Sequence, residues 1–417
     1  MIRLALRNLA RNRWRSGLTL GGVAVAVAML IWSDGLMEAF LVTMTESATA
    51  MQLGDLRIES EAHAHDSSVY NAFTASPALL ESVRRVPGVR TVAPRLLTFG
   101  LLGHKTRSQG ALVLGVDPAI EAQASDVAKS VVAGTWLSPR VTAGERERQV
   151  VLGQDLASLL AVKVGDDLVV MLQAADGTMG DDRLRLVGIA RTGTSDLDRQ
   201  AAWMRLGDVA YLAALEGQAH ELVVRSERGV ALDHVATGIR AVIAAGAGPK
   251  LVARTWKQLV PDLHQMIELS RNSMIVLYAI VYFIAALGIL NAQRMSALER
   301  KREFAVMMSV GVTPARLGTL VIVESVLLAS MGAVLGALLG WGLSAYHAHA
   351  GLDLAALGSQ GFTFAGISFH SRIYFVLRPG MVVLPAVAVL GVGALCGLWP
   401  ALASSRIKLA STISGRL

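Results

Sequence analysis

Residues 293–325 read QRMSALERKREFAVMMSVGVTPARLGTLVIVES, and this stretch decides the fold. Glu299-Arg300-Lys301-Arg302-Glu303 is the polar section of a helix that continues out of an apolar run. Phe304, Met307, Met308 and Val310 follow as an apolar patch. Gly311 suits the left-handed residue that ends a helix. Thr313-Pro314 restarts one, with Thr as N-cap and Pro in the first turn. The spacing predicts a helix, a sharp elbow and a second helix that enters apolar sequence again. An elbow of mixed charge with exposed methionine is suited to docking on a partner.

Apolar runs lie on both sides of this elbow, at 274–292 and 317–345, with others at 17–33 and 381–403. A bilayer-crossing helix needs about 20 apolar residues, and residues 34–273 hold no such run. The chain has 417 residues, 53% hydrophobic and only 17% charged, which fits a membrane protein better than a soluble one. The pattern predicts four transmembrane helices with a large external domain between the first and second. A cleaved leader is not expected, because Trp32-Ser33-Asp34-Gly35 is a poor cleavage site.

The net charge of +7 is placed in clusters. Arg3, Arg7, Arg11, Arg13 and Arg15 precede the first run; Arg294, Arg300, Lys301, Arg302 and Arg316 mark the elbow; Arg406, Lys408 and Arg416 follow the last run. With four spans all three clusters fall on one side, which the positive-inside rule makes cytoplasmic. These charges flank apolar helices and do not cover a soluble face, so no nucleic-acid partner is expected. Cys396 is the one cysteine, so no intrachain disulfide forms. His63-Ala64-His65-Asp66 and His347-Ala348-His349 lack partners at ligand spacing and read as solvated loop residues, so no metal site is expected.

The external domain reads as α+β, with segments 110–116, 149–153, 167–172 and 183–189 as strands. Ser76-Pro77, Gln154–Ala161 and Gly229–Ala245 read as helical, and two lobes are one arrangement of these parts. No nucleophile elbow or zincin helix occurs, so no catalytic residue is expected. Leu36, Met37, Phe40, Leu41 and Met44 carry the first helix beyond the bilayer, and Leu259, Leu263, Met266 and Ile267 lead into the second, as paired stalks. Gly332, Gly336 and Gly340 recur every four residues and serve either internal packing or a dimer seam. Glu324 lies inside an apolar run, as a functional carboxylate or one that snorkels or pairs with a nearby Arg.

Glu299, Arg300, Arg302, Glu303, Gly311, Thr313, Pro314, Glu324 and Ser325 together resemble the elbow of ABC transporter permeases of the MacB/LolC/LolE/FtsX type. Val150-Val151-Leu152-Gly153, Leu156-Ala157 and Val164-Gly165-Asp166 resemble that family's external strand–helix–strand motif, and Trp399-Pro400-Ala401 with Arg406 its tail. The resemblance implies a bacterial inner-membrane protein with both termini cytoplasmic. The chain divides into a cytoplasmic amphipathic helix at 1–16, where Arg alternates with apolar residues at helical spacing, a transmembrane helix and stalk at 17–50, and a periplasmic α+β domain at 51–255. Stalk and second transmembrane helix follow at 256–298, and the coupling elbow at 299–316. The third transmembrane helix is placed at 317–345, a periplasmic loop at 346–379, the fourth helix at 380–404 and the tail at 405–417.

The resemblance also implies partners. No G-x-x-x-x-G-K-[ST] phosphate loop occurs, so ATP and Mg are expected on a separate ATPase, present in two copies. Glu299, Arg300, Arg302, Glu303, Met307, Val310, Gly311, Thr313 and Pro314 would contact it. A second permease, identical or paralogous, completes the unit. Substrate would lie against Met37, Phe40, Met44, Met266, Ile267 and Met274, residues whose plainer reading is stalk–stalk packing. Lipoprotein extraction of the LolC/LolE kind is the leading expectation, with a periplasmic chaperone as a further partner. MacB-like efflux of peptides or drugs and FtsX-like signalling are the alternatives. The turn between Leu172 and Arg183, QAADGTMGDD, is too tight to match the protruding hairpin of LolC-like subunits.

Overall fold

The computed structural model describes residues 5, 7, 8, 11, 13–139, 148–227, 229–246, 250–353, 363–364, 367–368 and 372–405. The basic tail with Arg406, Lys408 and Arg416 lies outside the described residues, as does Arg3. Two compact units emerge: one of Met1–Val42, Met266–Ser359 and Ser371–Leu417, the other of Thr43–Gln265 with Gln360–His370. Helix α1 (Arg13–Ala48) runs unbroken for 36 residues, past Asp34 as its apolar stripe requires.

The second unit is built on a ten-stranded sheet. Its strands are β1 (Leu56–Ser60), β2 (Val89–His104), β3 (Arg107–Val116), β4 (Val131–Gly134) and β5 (Arg148–Gly153). The others are β6 (Asp167–Gln173), β7 (Met179–Ala190), β8 (Ala201–Arg205), β9 (Glu221–Ser226) and β10 (Leu251–Thr255). The order is β10-β1-β9-β2-β3-β8-β5-β7-β4, with β6 pairing β2 and β7. In β6 every second residue is buried, the period of a strand with one wet face. One core, around Ile58, Val92 and Leu222, lies with helices α2 (Pro77–Arg84) and α3 (Leu232–Ala245). A second gathers Leu102, Val113, Leu152, Val170 and Leu186. The 16-residue β2 runs through both, so two lobes share one sheet.

The four segments read as strands lie within β3, β5, β6 and β7. The β6–β7 hairpin closes tightly: Gly177 has φ +86°, and Asp176 accepts from the Thr178 amide at 2.9 Å and its hydroxyl at 2.7 Å. Arg95 on β2 binds Glu121 at 2.6 Å and donates to the Gln52 carbonyl at 2.6 Å, tying the turn after α1 to the sheet. The His63 segment is not a solvated loop. His63 and His65 sit on a short helix, Glu61–His65, and His63 is buried beside His220 with ring centroids 5.1 Å apart. Ser60 caps that helix through the His63 amide, a local bond available to any Ser before a helix. Likewise His347 stands on a membrane-length helix, packed 5.2 Å from Phe375.

The first unit contains the remaining long helices: α4 (Pro261–Glu299), then the short α5 (Lys301–Ser309), α6 (Pro314–Ala350) and α7 (Gly380–Ser405). Among the described residues α1, α4, α6 and α7 are long and apolar enough to cross a membrane. α6 is the most buried of them, and its glycines explain why. A Cβ on Gly332 would stand 2.7 Å from Val23, on Gly336 2.5 Å from the Ala24 carbonyl, and on Gly340 2.9 Å from Ala28. The stripe is therefore filled by α1 within the same chain, which decides for internal packing over a dimer seam. On another face, Gly393 and Gly397 of α7 approach Ala329 and Ser325.

Two outcomes follow from this packing. Gly336→Val should lower thermal stability in detergent by about 1–3 kcal/mol through overpacking. Gly342→Val, which meets nothing within 4 Å, should leave it unchanged. In the sheet unit, the Leu97 amide donates to His220 Nδ1 at 3.0 Å, so Nε2 carries the proton and donates to the Val69 carbonyl at 3.0 Å. Burial pushes His220 below its ordinary value of 6.5, so the folded unit holds the neutral ring. That stability is complete above 6.5 and is lost as pH falls toward the lowered folded value. Thermal unfolding scanned from pH 7.5 to 5 should show the decline, and His220→Gln should flatten it.

Candidate functional site

The elbow departs from the expected continuous helix at one residue. α4 stops at Glu299, Arg300 has φ −96° and ψ 11°, and α5 begins at Lys301. The break turns two side chains inward. Phe304, 1% exposed, enters a cluster with Leu317, Val321 and Ala401. Arg300 reaches the carboxylate of Glu324, which is itself 3% exposed. A buried charge on an apolar helix needs such a partner in place.

The far end of α5 is built from the residues read for it. The Val312 amide donates to the Met307 carbonyl at 3.0 Å and the Gly311 amide to Met308 at 3.1 Å. These are the paired bonds of a Schellman motif, with Gly311 at φ +99°. Thr313 Oγ1 accepts from the Arg316 amide at 3.4 Å, and Pro314 opens α6.

The apolar patch is not the one expected. Phe304 is interior, and Met307 and Met308 pack around it half-buried. The exposed apolar groups are Val310, at 82%, and Val306, at 55%. Glu299, Lys301, Arg302, Gly311, Thr313, Pro314 and Arg316 share their exposure. The outer face of the elbow is thus two valines among basic side chains. Aromatic bulk was drawn to the core, where it removes more apolar area from water than a methionine tip does.

Inside, the polar groups form one chain of contacts. Arg300 Nη1 donates to Glu324 Oε1 at 2.9 Å and Oε2 at 3.2 Å, while its Nε donates to Glu303 Oε2 at 3.0 Å. Asn8 Nδ2 donates to Glu324 Oε1 at 2.5 Å, and Arg11 Nη2 to Glu303 Oε1 at 2.5 Å. The Arg300 guanidinium also lies 5.0 Å over the Phe304 ring. Burial pushes the Glu303 carboxyl up, but bonds from Arg11 and Arg300 outweigh it and hold it below the ordinary range. Arg11 and Glu303 are exposed, so that pair contributes at most about 1 kcal/mol. Losing one partner of the buried Arg300–Glu324 pair costs about 3–5 kcal/mol. Asn8 was not read from the sequence, and Arg11 only as one of the N-terminal basic cluster; their spacing of three on a helical segment was the available signal.

The six residues expected to line a substrate cavity are buried or half-buried within this chain. Phe40 joins Ala39, Trp32, Leu36, Ile373 and Phe375 in one cluster. Met44, Ile267 and Met274 are buried, and Met37 and Met266 half-buried. A cavity of about 440 Å³ lies between α1 and α4, lined by Leu18, Gly22, Ala26, Ile284, Gly288 and Met295 among others; none of the six lines it. Small residues, Gly22, Ala26 and Gly288, open that space. Among the described residues no His, Cys, Asp and Glu group is placed to hold a metal ion.

Apolar helices of membrane length, a two-lobed sheet domain inserted after the first, and a charged elbow after the second are the layout of a membrane permease. The chain belongs to the MacB/FtsX permease family: residues 16–242 match the MacB-like periplasmic core domain and 275–409 the FtsX-like permease C-terminal region. It is an ABC transporter permease of the LolC/MacB/FtsX type. It is 24% identical over 346 residues to the lipoprotein-releasing system transmembrane protein LolC of Xylella fastidiosa, covering 80% of this chain and 78% of that protein. To the macrolide export ATP-binding/permease protein MacB of Bordetella avium it is 22% identical, covering 97% of this chain and 58% of that protein. The crystal structure of the periplasmic region of MacB from Actinobacillus actinomycetemcomitans superposes with a TM-score of 0.38 and 12% identity, over 54% of this chain and 98% of that one.

Glu324→Leu should destabilise the protein by about 3–5 kcal/mol in detergent, because Arg300 stays buried beside it. Glu324→Leu combined with Arg300→Met should recover most of that loss. A double variant as unstable as the sum of the single ones would show that the pair does not carry the site.

Proposed function

We propose that this chain is the non-catalytic permease subunit of an inner-membrane ABC transporter, coupled through the 299–314 elbow to a separate ATPase. Two ATPase copies hold ATP and Mg, and a second permease, identical or paralogous, completes the assembly. Four helices span the membrane, with both termini and the elbow on the cytoplasmic side, where Arg294, Lys301, Arg302 and Arg316 cluster. The observation that carries the coupling role is the elbow itself: exposed Val306 and Val310 among basic side chains, on a helix whose inner face is fixed by Phe304 and Arg300.

The cargo on this reading is a lipoprotein, drawn out of the membrane and passed outward. Support comes from the LolC relative, of which this chain spans 78%. Direct capture of a periplasmic chaperone is left to the partner permease, since the β6–β7 hairpin ends at the tight Asp176-Gly177 turn. The same short hairpin favours a second reading, MacB-like efflux of peptides or drugs by a homodimer whose ATPase is a separate chain.

Replacing Val310 with Asp and Gly311 with Pro tests the elbow. Proline cannot adopt the φ of Gly311 and removes the amide that bonds Met308. Cargo-stimulated ATP hydrolysis should fall on the order of tenfold, with membrane insertion intact. Stimulation at the wild-type level would remove the elbow from the mechanism.

A further inference from the structure

α5 is nine residues long and stands between two non-helical residues, Arg300 and Gly311. A short helix between two such turns passes on a push only if other contacts hold it against its neighbours. Phe304 supplies one hold, seated against Leu317 and Val321 of α6. The described residues of the N-terminal segment, Ala5, Arg7, Asn8 and Arg11, are helical and supply another. Asn8 and Arg11 lie three apart and so share a helix face. Asn8 reaches Glu324 on α6, Arg11 reaches Glu303 on α5, and Arg300 binds both of those carboxylates.

We infer that the N-terminal segment is a working part of the coupling site, with Asn8 as a positioning residue. Its amide holds Glu324 and, through Arg300, the register of α5 on α6. A push delivered to α5 then moves α6 and does not merely turn α5 about Arg300 and Gly311. Arg11 is the lesser contact, because its bond to Glu303 is exposed to solvent. The inference rests on the proposed coupling role of the elbow.

Asn8→Asp is the discriminating variant: it keeps the shape and sets a second carboxylate against Glu324. Asn8→Gln keeps the amide, and Asn8→Ala removes the donor without adding charge, in case the Asp variant does not accumulate. Full-length protein in lipid nanodiscs is followed by hydrogen exchange at residues 301–309, and by the ratio of cargo-stimulated to basal hydrolysis by the co-purified ATPase. Asn8→Asp and Asn8→Ala should speed exchange in α5 and lower the ratio several-fold, with Asn8→Gln near wild type. Unchanged exchange in Asn8→Asp or Asn8→Ala overturns the brace. Faster exchange with an unchanged ratio overturns its part in coupling. If wild-type protein binds no ATPase, the proposed function fails, whereas the exchange contrast still decides the brace.

Discussion

Glu324 is a buried carboxylate within the apolar stretch of α6, and the surrounding side chains satisfy it. Leaving it alone in a low-dielectric setting would cost more than most domains have to spare. Arg300 neutralises it from the residue at which the chain leaves helical geometry between α4 and α5. That single break sets the direction of α5, seats Phe304 and presents Val306 and Val310 outward. Asn8 completes the carboxylate's hydrogen bonding from a segment more than three hundred residues away in sequence.

α6 receives these contacts near its start and hands them along its length. Its glycine stripe lets α1 come close enough that added Cβ atoms would meet Val23, Ala24 and Ala28. Small residues of α7 close against another face. A helix held this tightly moves with its neighbours, because packed interfaces shift as bodies and do not flow. On the proposed reading, the helix that meets the elbow is therefore the one best tied to the others. α4 is the least buried of the four, and the cavity beside it opens where Gly22, Ala26 and Gly288 replace larger side chains.

Much of the site was legible because local rules govern it. Gly311 and Thr313-Pro314 announce a helix end and a restart through backbone preferences that need no distant partner. The long apolar runs are equally local. What escaped the sequence depends on contacts between distant residues. The turn at Arg300 lies inside a segment with every helical credential and coincides with the contact to Glu324, 24 residues on. Phe304 and Met307 differ in exposure although both are apolar and one turn apart, since only α6 and α7 decide which faces inward. Strands β1, β2, β4, β8, β9 and β10 were not read, and the ladder that joins β1 to β9 spans more than 150 residues of sequence. The glycine stripe was read as a close-packing face, for internal packing or for a dimer seam, and its occupant was settled only by the approach of α1.

On the proposed reading the outer face of the elbow meets an ATPase chain. A photo-crosslinking residue placed at Val310 in the full-length protein, activated in native membranes, tests it most directly. Val310 is exposed and Phe304 is buried, so the same label at Phe304 provides the internal comparison. A covalent adduct with an ABC ATPase is expected from Val310 and none from Phe304. No ATPase adduct at Val310, with the protein inserted and at wild-type abundance, would contradict it.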